Sequence, residues 1–190
     1  MKEEDSKNSF EIIAQQTQSV ITIAYVFGVA VGMIFNFHKF SEFGINIFDY
    51  VDVFDFLIVP FADPKILLFT LVSLLVSYLL FKADLFWREK HEKSYTVMSL
   101  GWHKKDWYEK FRFAAFSGLF VYYLFIAANV YTVDSSEKIR KTAPINIRLV
   151  DNEIISGVLI GKTANILFLL KGDEVKAVPI SSLVKEFDIK

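Results

Sequence analysis

Polar and apolar positions along this chain separate into long blocks. A polar, acidic opening, MKEEDSKNSFEIIAQQTQS, gives way to VITIAYVFGVAVGMIFNF, residues 20–37, which carries no charge. A second apolar run, ILLFTLVSLLVSYLLF, is flanked by Lys65 and Lys82 and introduced by Pro64, a residue suited to the first turn of a helix. A third, residues 113–133, is again uncharged. Each run approaches the roughly 20 apolar residues that a helix needs to cross the hydrocarbon core. The pattern predicts three transmembrane helices at about 20–37, 65–82 and 113–133, with 1–19 as a polar tail. That tail lacks the short basic start and small-residue cleavage site of a signal peptide, so the first helix is read as retained.

Past residue 133 the period changes. DSSEKIRKTAP, residues 134–144, reads as a charged linker. From Ile145 onward come INIRLVDN, EIISGVLIGK, ANILFLLKGD, EVKAVPISS and LVKEFDI, short β-branched or apolar runs bounded by Asp, Asn and Gly. Lys171-Gly172-Asp173 predicts a hairpin turn. Five short strands over 145–190 predict a small all-β barrel, with Ser181-Ser182-Leu183 as a 3₁₀ turn before the last strand. The fold class is therefore membrane α-helical with a C-terminal small barrel. A barrel so small is marginal alone and needs support from its neighbours or the membrane.

Between the first two runs lies FGINIFDYVDVFDFLIVPFADP, residues 43–64. Asp49, Asp52 and Asp55 recur every three residues. On a helix, steps of three rotate by about −60°, so the carboxylates share a sector of about 120° and the apolar residues fill the opposite one. As a strand the separation would vanish. The segment predicts an amphipathic helix over about 45–59. It is too short to span, and three carboxylates in hydrocarbon would cost several kcal/mol. It can lie in the interface with its acids in water. Two other readings are a pore-lining acidic ring in an oligomer and a docking stripe for a basic partner.

Charge sets an expected orientation. Eight Lys and Arg lie between Phe81 and Arg112, whereas the loop between the first two helices has Lys39 and Lys65 against five acids. The positive-inside rule puts the eight-charge loop and the N-terminus in the cytoplasm and the β domain outside. Lys138, Arg140, Lys141 and Arg148 pull the other way, and the balance is ten against six. Trp87, Trp102 and Trp107, with Lys104 and Lys105, read as anchors at the inner interface. They form an aromatic belt with basic flanks, or a patch for anionic lipid or a partner.

Ala24, Gly28 and Gly32 stack at intervals of four on the first helix, a face that lets another backbone come close. Candidate partners are Ser73/Ser77, Ala114/Gly118 or another subunit.

Composition agrees with a membrane protein: 53% of the 190 residues are hydrophobic and 16% aromatic, with mean hydropathy +0.36. The net charge of −1 offers nothing to nucleic acid, and the absence of cysteine excludes disulfides, thiolate metal sites and a Cys nucleophile. The three His are scattered, and no phosphate-binding, zinc-protease or nucleophile-elbow motif occurs. No enzyme and no cofactor are expected. The partners expected are the lipid bilayer and a second copy or another membrane protein.

Gly157, the hairpin at Gly172-Asp173, and Val178-Pro179-Ile180-Ser181-Ser182 resemble small Sm-like β domains. In particular they resemble the β domain that follows the pore helix in small-conductance mechanosensitive channels. The third run, aromatic with Gly118 as its one glycine, departs from that family's Gly/Ala-dense pore helix, so no channel residue is carried over. The whole layout is similar to bacterial inner-membrane proteins with an SH3- or Sm-like tail. That resemblance implies a plasma-membrane location. A sensor, scaffold or assembly role, in envelope stress or defence by analogy, is the first functional expectation. An oligomeric ion channel with an acidic outer vestibule is the second.

Overall fold

The structure, a computed structural model, describes residues 2–180 and 184–187, with side chains described for 16–180, 184 and 185. Ser181, Ser182 and Leu183, read above as a 3₁₀ turn, lie outside the described residues. Among the described residues five α-helices, α1 (Lys2–Ser41), α2 (Val53–Ala62), α3 (Pro64–Lys90), α4 (Glu92–Met98) and α5 (Tyr108–Lys141), precede five strands. The strands are β1 (Ile145–Leu149), β2 (Ile154–Lys162), β3 (Ile166–Lys171), β4 (Glu174–Pro179) and β5 (Val184–Phe187).

Three of the helices contain segments long and apolar enough to cross a membrane: Gln16–Ser41, Pro64–Lys90 and Tyr108–Lys141. All three helices outrun the apolar blocks that announce them. α1 starts at Lys2, within the polar residues read as a tail. α5 runs on to Lys141, through the residues read as a linker. The cause is local: Asp134–Lys138 and Glu137–Lys141 pair at i,i+4, acid first, the order that supports a helix. At 1.5 Å per residue, its 34 residues extend about 50 Å, well beyond a hydrocarbon core of about 30 Å. Its last turns lie past the apolar block and contact β2 of the sheet.

α5 packs against both α1 and α3. α3 turns Ile66, Thr70, Ser73 and Ser77 inward, all buried. The three hydroxyls donate to carbonyls one turn back, at 2.8, 2.8 and 2.9 Å, so small polar residues line the contact without orphaned groups. Val31, Phe35, Ile66, Leu124, Ala128 and Tyr131 form the helical core.

The predicted helix over 45–59 is broken in two. Ile47–Asp49 is a single 3₁₀ turn, and α2 starts at Val53. Asp52 is the N-cap of α2, and Asp55 at N3 completes a capping box, its Oδ2 accepting the Asp52 N–H at 3.2 Å. The capping box satisfies N–H donors that a new helix start exposes, so the chain can restart there.

The five strands form one antiparallel curled sheet in the order β4-β3-β2-β1-β5. β2 pairs with β1 through its first half and with β3 through its second, with a register shift between Leu159 and Gly161. A shift of this kind bends and twists a strand, and it gives the sheet its half-barrel curl. The β3–β4 hairpin turns at Gly172, φ 65°, followed by Asp173. Glycine stands at the first central position, as a II′ turn requires. β3 is buried on both faces. Leu167 and Leu169 enter the sheet's own core. Phe168 and Leu170 join Phe40, Ile45, Ile47 and Phe56 in a second core shared with the helical part. That double burial explains the unbroken ILFLL in place of an alternating pattern.

Candidate functional site

The shared core has a hollow beside it. Where α1 ends, the 3₁₀ turn and α2 pass beneath β2 and β3, leaving a cavity of about 590 Å³. Asn36, Lys39 and Phe40 of α1 form one wall, Val51, Asp55, Ile58 and Val59 another, and Gly161, Thr163, Ala164 and Leu167 the roof. Its size falls within the roughly 300–1,000 Å³ of small-molecule sites, and a mostly apolar lining with few polar groups is their usual make-up.

Gly161 makes this seam close. A Cβ there would lie 2.8 Å from Phe40 Cζ and 3.5 Å from Lys39 Nζ. The missing side chain lets the Phe40 ring reach Phe168, edge-on at 5.3 Å between centroids. Tyr50 meets Phe168 from the other side at 5.4 Å, and the Arg140 guanidinium sits over the Phe43 ring at 5.4 Å. The Asp55 carboxylate bridges the seam: its Oδ1 accepts the Ala164 N–H at 3.3 Å.

The three Asp residues therefore do not form one stripe. Asp49 accepts a hydrogen bond from Asn46 Nδ2 at 3.0 Å, Asp52 caps α2, and Asp55 both caps α2 and touches the sheet. Asp63, outside the triplet, does more to join helices. Its Oδ1 caps α3 through the Lys65 N–H at 2.9 Å, and its Oδ2 accepts the Tyr131 hydroxyl at 2.8 Å.

Gly28 and Gly32 meet α2, a partner that sequence reasoning did not consider. A Cβ on Gly32 would stand 1.9 Å from the Phe56 carbonyl oxygen, and one on Gly28 would stand 3.1 Å from Leu57 Cδ1. Ala24 is exposed. The other candidate faces are used differently: Ser73 and Ser77 are buried on α3, while Ala114 and Gly118 are exposed.

At the opposite end of the helices, Trp102 and Trp107 pack together, with centroids 5.7 Å apart, and stay about half exposed. Lys104 and Lys105 are exposed beside them. Trp87 instead turns inward, edge-on to Tyr95 at 5.7 Å. It borders a network that sequence reasoning missed. Tyr95 donates to Asp84 Oδ1 at 3.1 Å and its hydroxyl meets that of Tyr108 at 2.8 Å. Arg112, 8% exposed, donates to Glu109 at 2.6 Å, lies 3.7 Å from Asp84 and covers the Phe81 ring at 5.0 Å. Burial, and then the Tyr108 hydrogen bond, push the Tyr95 phenol above its ordinary value. The network ties α4 to α3 and α5. Its members span almost 30 residues of sequence and only the fold brings them together.

Compared with protein-family models, curated proteins and solved structures, the chain matches none. The fold and the seam define a membrane-embedded helical protein with a β half-barrel seated on the ends of its helices.

Proposed function

We propose that this chain is a non-catalytic membrane protein in which the β module, seated on the helix ends, senses the state of the membrane part and passes it to an assembly partner. The single observation that supports the reading is the shared core. Phe40, Ile47 and Phe56 from the helical side interleave with Ile160, Phe168 and Leu170 from the sheet. Any tilt of α1 or shift of α2 therefore has to move the sheet or open the seam. The strand order β4-β3-β2-β1-β5 is also the order of a Sm- or SH3-like barrel that closes β4 onto β5. On the charge count, the module faces outward across a plasma membrane.

The test uses a single thiol at the seam, Ala164→Cys, in a chain with no native cysteine. The full chain is reconstituted into nanodiscs of short-chain and long-chain lipids, and the rate of thiol modification is measured. Sensing predicts that the rate changes several-fold between the two bilayers. An equal rate in both would sink the sensing reading.

A second reading, an oligomeric channel with an acidic vestibule, draws on α2. This short apolar helix is held backbone-to-backbone against a membrane helix at Gly32, as a re-entrant helix would be. It predicts cation current from purified protein in planar bilayers, with selectivity weakened by Asp49→Asn, Asp52→Asn and Asp55→Asn together. Silent bilayers would remove it.

A further inference from the structure

The seam cavity holds an ammonium that no carboxylate of the described residues pairs with directly. Lys39 is half-buried on the last turn of α1, its ammonium 5.4 Å from the Phe40 ring and beside Gly161. Among the described residues no carboxylate lies within 4.0 Å of it. The two nearby acids hydrogen-bond other groups and make no direct pair with it, although the Asp63 charge still acts on it from a distance. Asp55 accepts the Asp52 and Ala164 N–H groups, and Asp63 accepts Lys65 N–H and the Tyr131 hydroxyl. A desolvated ammonium without a direct ion pair is costly, and an acidic group brought into the cavity would relieve that cost. Further donors are at hand. Lys162 also lines the cavity. Thr163 Oγ1 accepts two backbone N–H groups, at 3.3 and 3.1 Å, which leaves its own proton free to donate.

The location selects the kind of acid. The apolar span of α1 ends at Ser41, so Lys39 stands at the polar edge of the bilayer. On α2, Phe54, Ile58 and Phe61 are 73%, 64% and 71% exposed, an apolar face suited to lipid. Ile58 belongs both to that face and to the cavity wall, so the hollow opens toward the lipid. We propose that the cavity receives the phosphate of an anionic phospholipid from the leaflet on the sheet side. The phosphate, with no quaternary ammonium of its own headgroup to neutralise it, pairs with Lys39, and the first part of an acyl chain lies along Val51, Ile58 and Val59. This rests on the reading of the seam as the working site, and it gives that site a ligand.

The experiment is native mass spectrometry of the purified full chain titrated with phosphatidylglycerol or phosphatidylcholine of identical chains. The expected result is one retained phosphatidylglycerol with a preference of about tenfold, the weight of one well-placed charge interaction. Lys39→Met keeps the methylene stem and should lose the preference. Lys39→Arg should keep it, as should Lys104→Met with Lys105→Met at the far end. Equal retention of the two lipids, or an unchanged preference in Lys39→Met, would overturn the proposal. Displacement of the lipid by millimolar inorganic phosphate would overturn a lipid as the ligand in favour of a free anion. A bis-maleimide cross-link between Asp55→Cys and Ala164→Cys, formed equally well with Lys39→Met, shows that the seam is intact when the lipid is lost. Lipid preference without any response to bilayer thickness would sink sensing and leave the site standing.

Discussion

Gly32 leaves less room for a side chain than any other glycine in the helices. A methyl group there would overlap the Phe56 carbonyl, which belongs to the backbone of α2 and cannot rotate away. At Gly28 the obstacle is the end of the Leu57 side chain, which can change rotamer. Gly32→Ala is therefore expected to destabilise by about 1–3 kcal/mol, the usual range for forced overpacking, and Gly28→Ala by well under that. Thermal unfolding in mild detergent checks the contrast, and equal effects would mean that α2 is not held where described. The same scale explains why the triplet of acids misleads. Asp49, Asp52 and Asp55 have the spacing of a helix face, but Asp52 is also one of the strongest N-cap residues. Asp52-Val53-Phe54-Asp55 places an acceptor three residues on. Capping is a backbone transaction that periodicity does not register.

Among the elements, α5 decides how the sheet is held. The sequence through 134–141 looks like a soluble connector because it is charged, yet charge on an exposed helix is no obstacle when acids precede bases by four residues. Lys65 adds a cross-link from α3, 2.6 Å from Asp134. Ile139 enters the shared core and Arg140 covers Phe43, so this stretch acts as a rigid strut with only a short turn before β1. Ser135→Pro would remove a helical hydrogen bond and clash one turn back, at about 3 kcal/mol or more. The expected outcome is slower bis-maleimide cross-linking of the Asp55→Cys/Ala164→Cys pair by several-fold, with the helical core intact by circular dichroism. An unchanged rate would mean that the shared core alone, and not the strut, positions the sheet.

For the whole molecule, the three-span reading expects the α3–α5 loop and the sheet on opposite faces of the membrane. Cysteines placed by Lys104→Cys and Lys171→Cys should be labelled by an impermeant thiol reagent from opposite sides of sealed vesicles, and the charge count expects Lys104→Cys to be the cytoplasmic one. Labelling of both from one side would contradict the three-span arrangement, and a simple swap of sides would reverse only the orientation. Much of this level was legible in the chain. The three apolar runs mark the spans because hydrocarbon tolerates neither charge nor open backbone. The five strands and the Gly172 turn follow from short β-branched or apolar runs bounded by Asp, Asn and Gly and a glycine at the required φ. Both kinds of signal come from solvent acting on one segment at a time, so a linear reading captures them. The seat of the sheet, the α2 contact at Gly32, the Tyr95–Asp84–Arg112 network and the Lys39 ammonium without a direct ion pair have no such local mark. They arise where segments distant in sequence desolvate one another, and whether a half-buried lysine gains a direct ion pair depends on where the fold places the carboxylates.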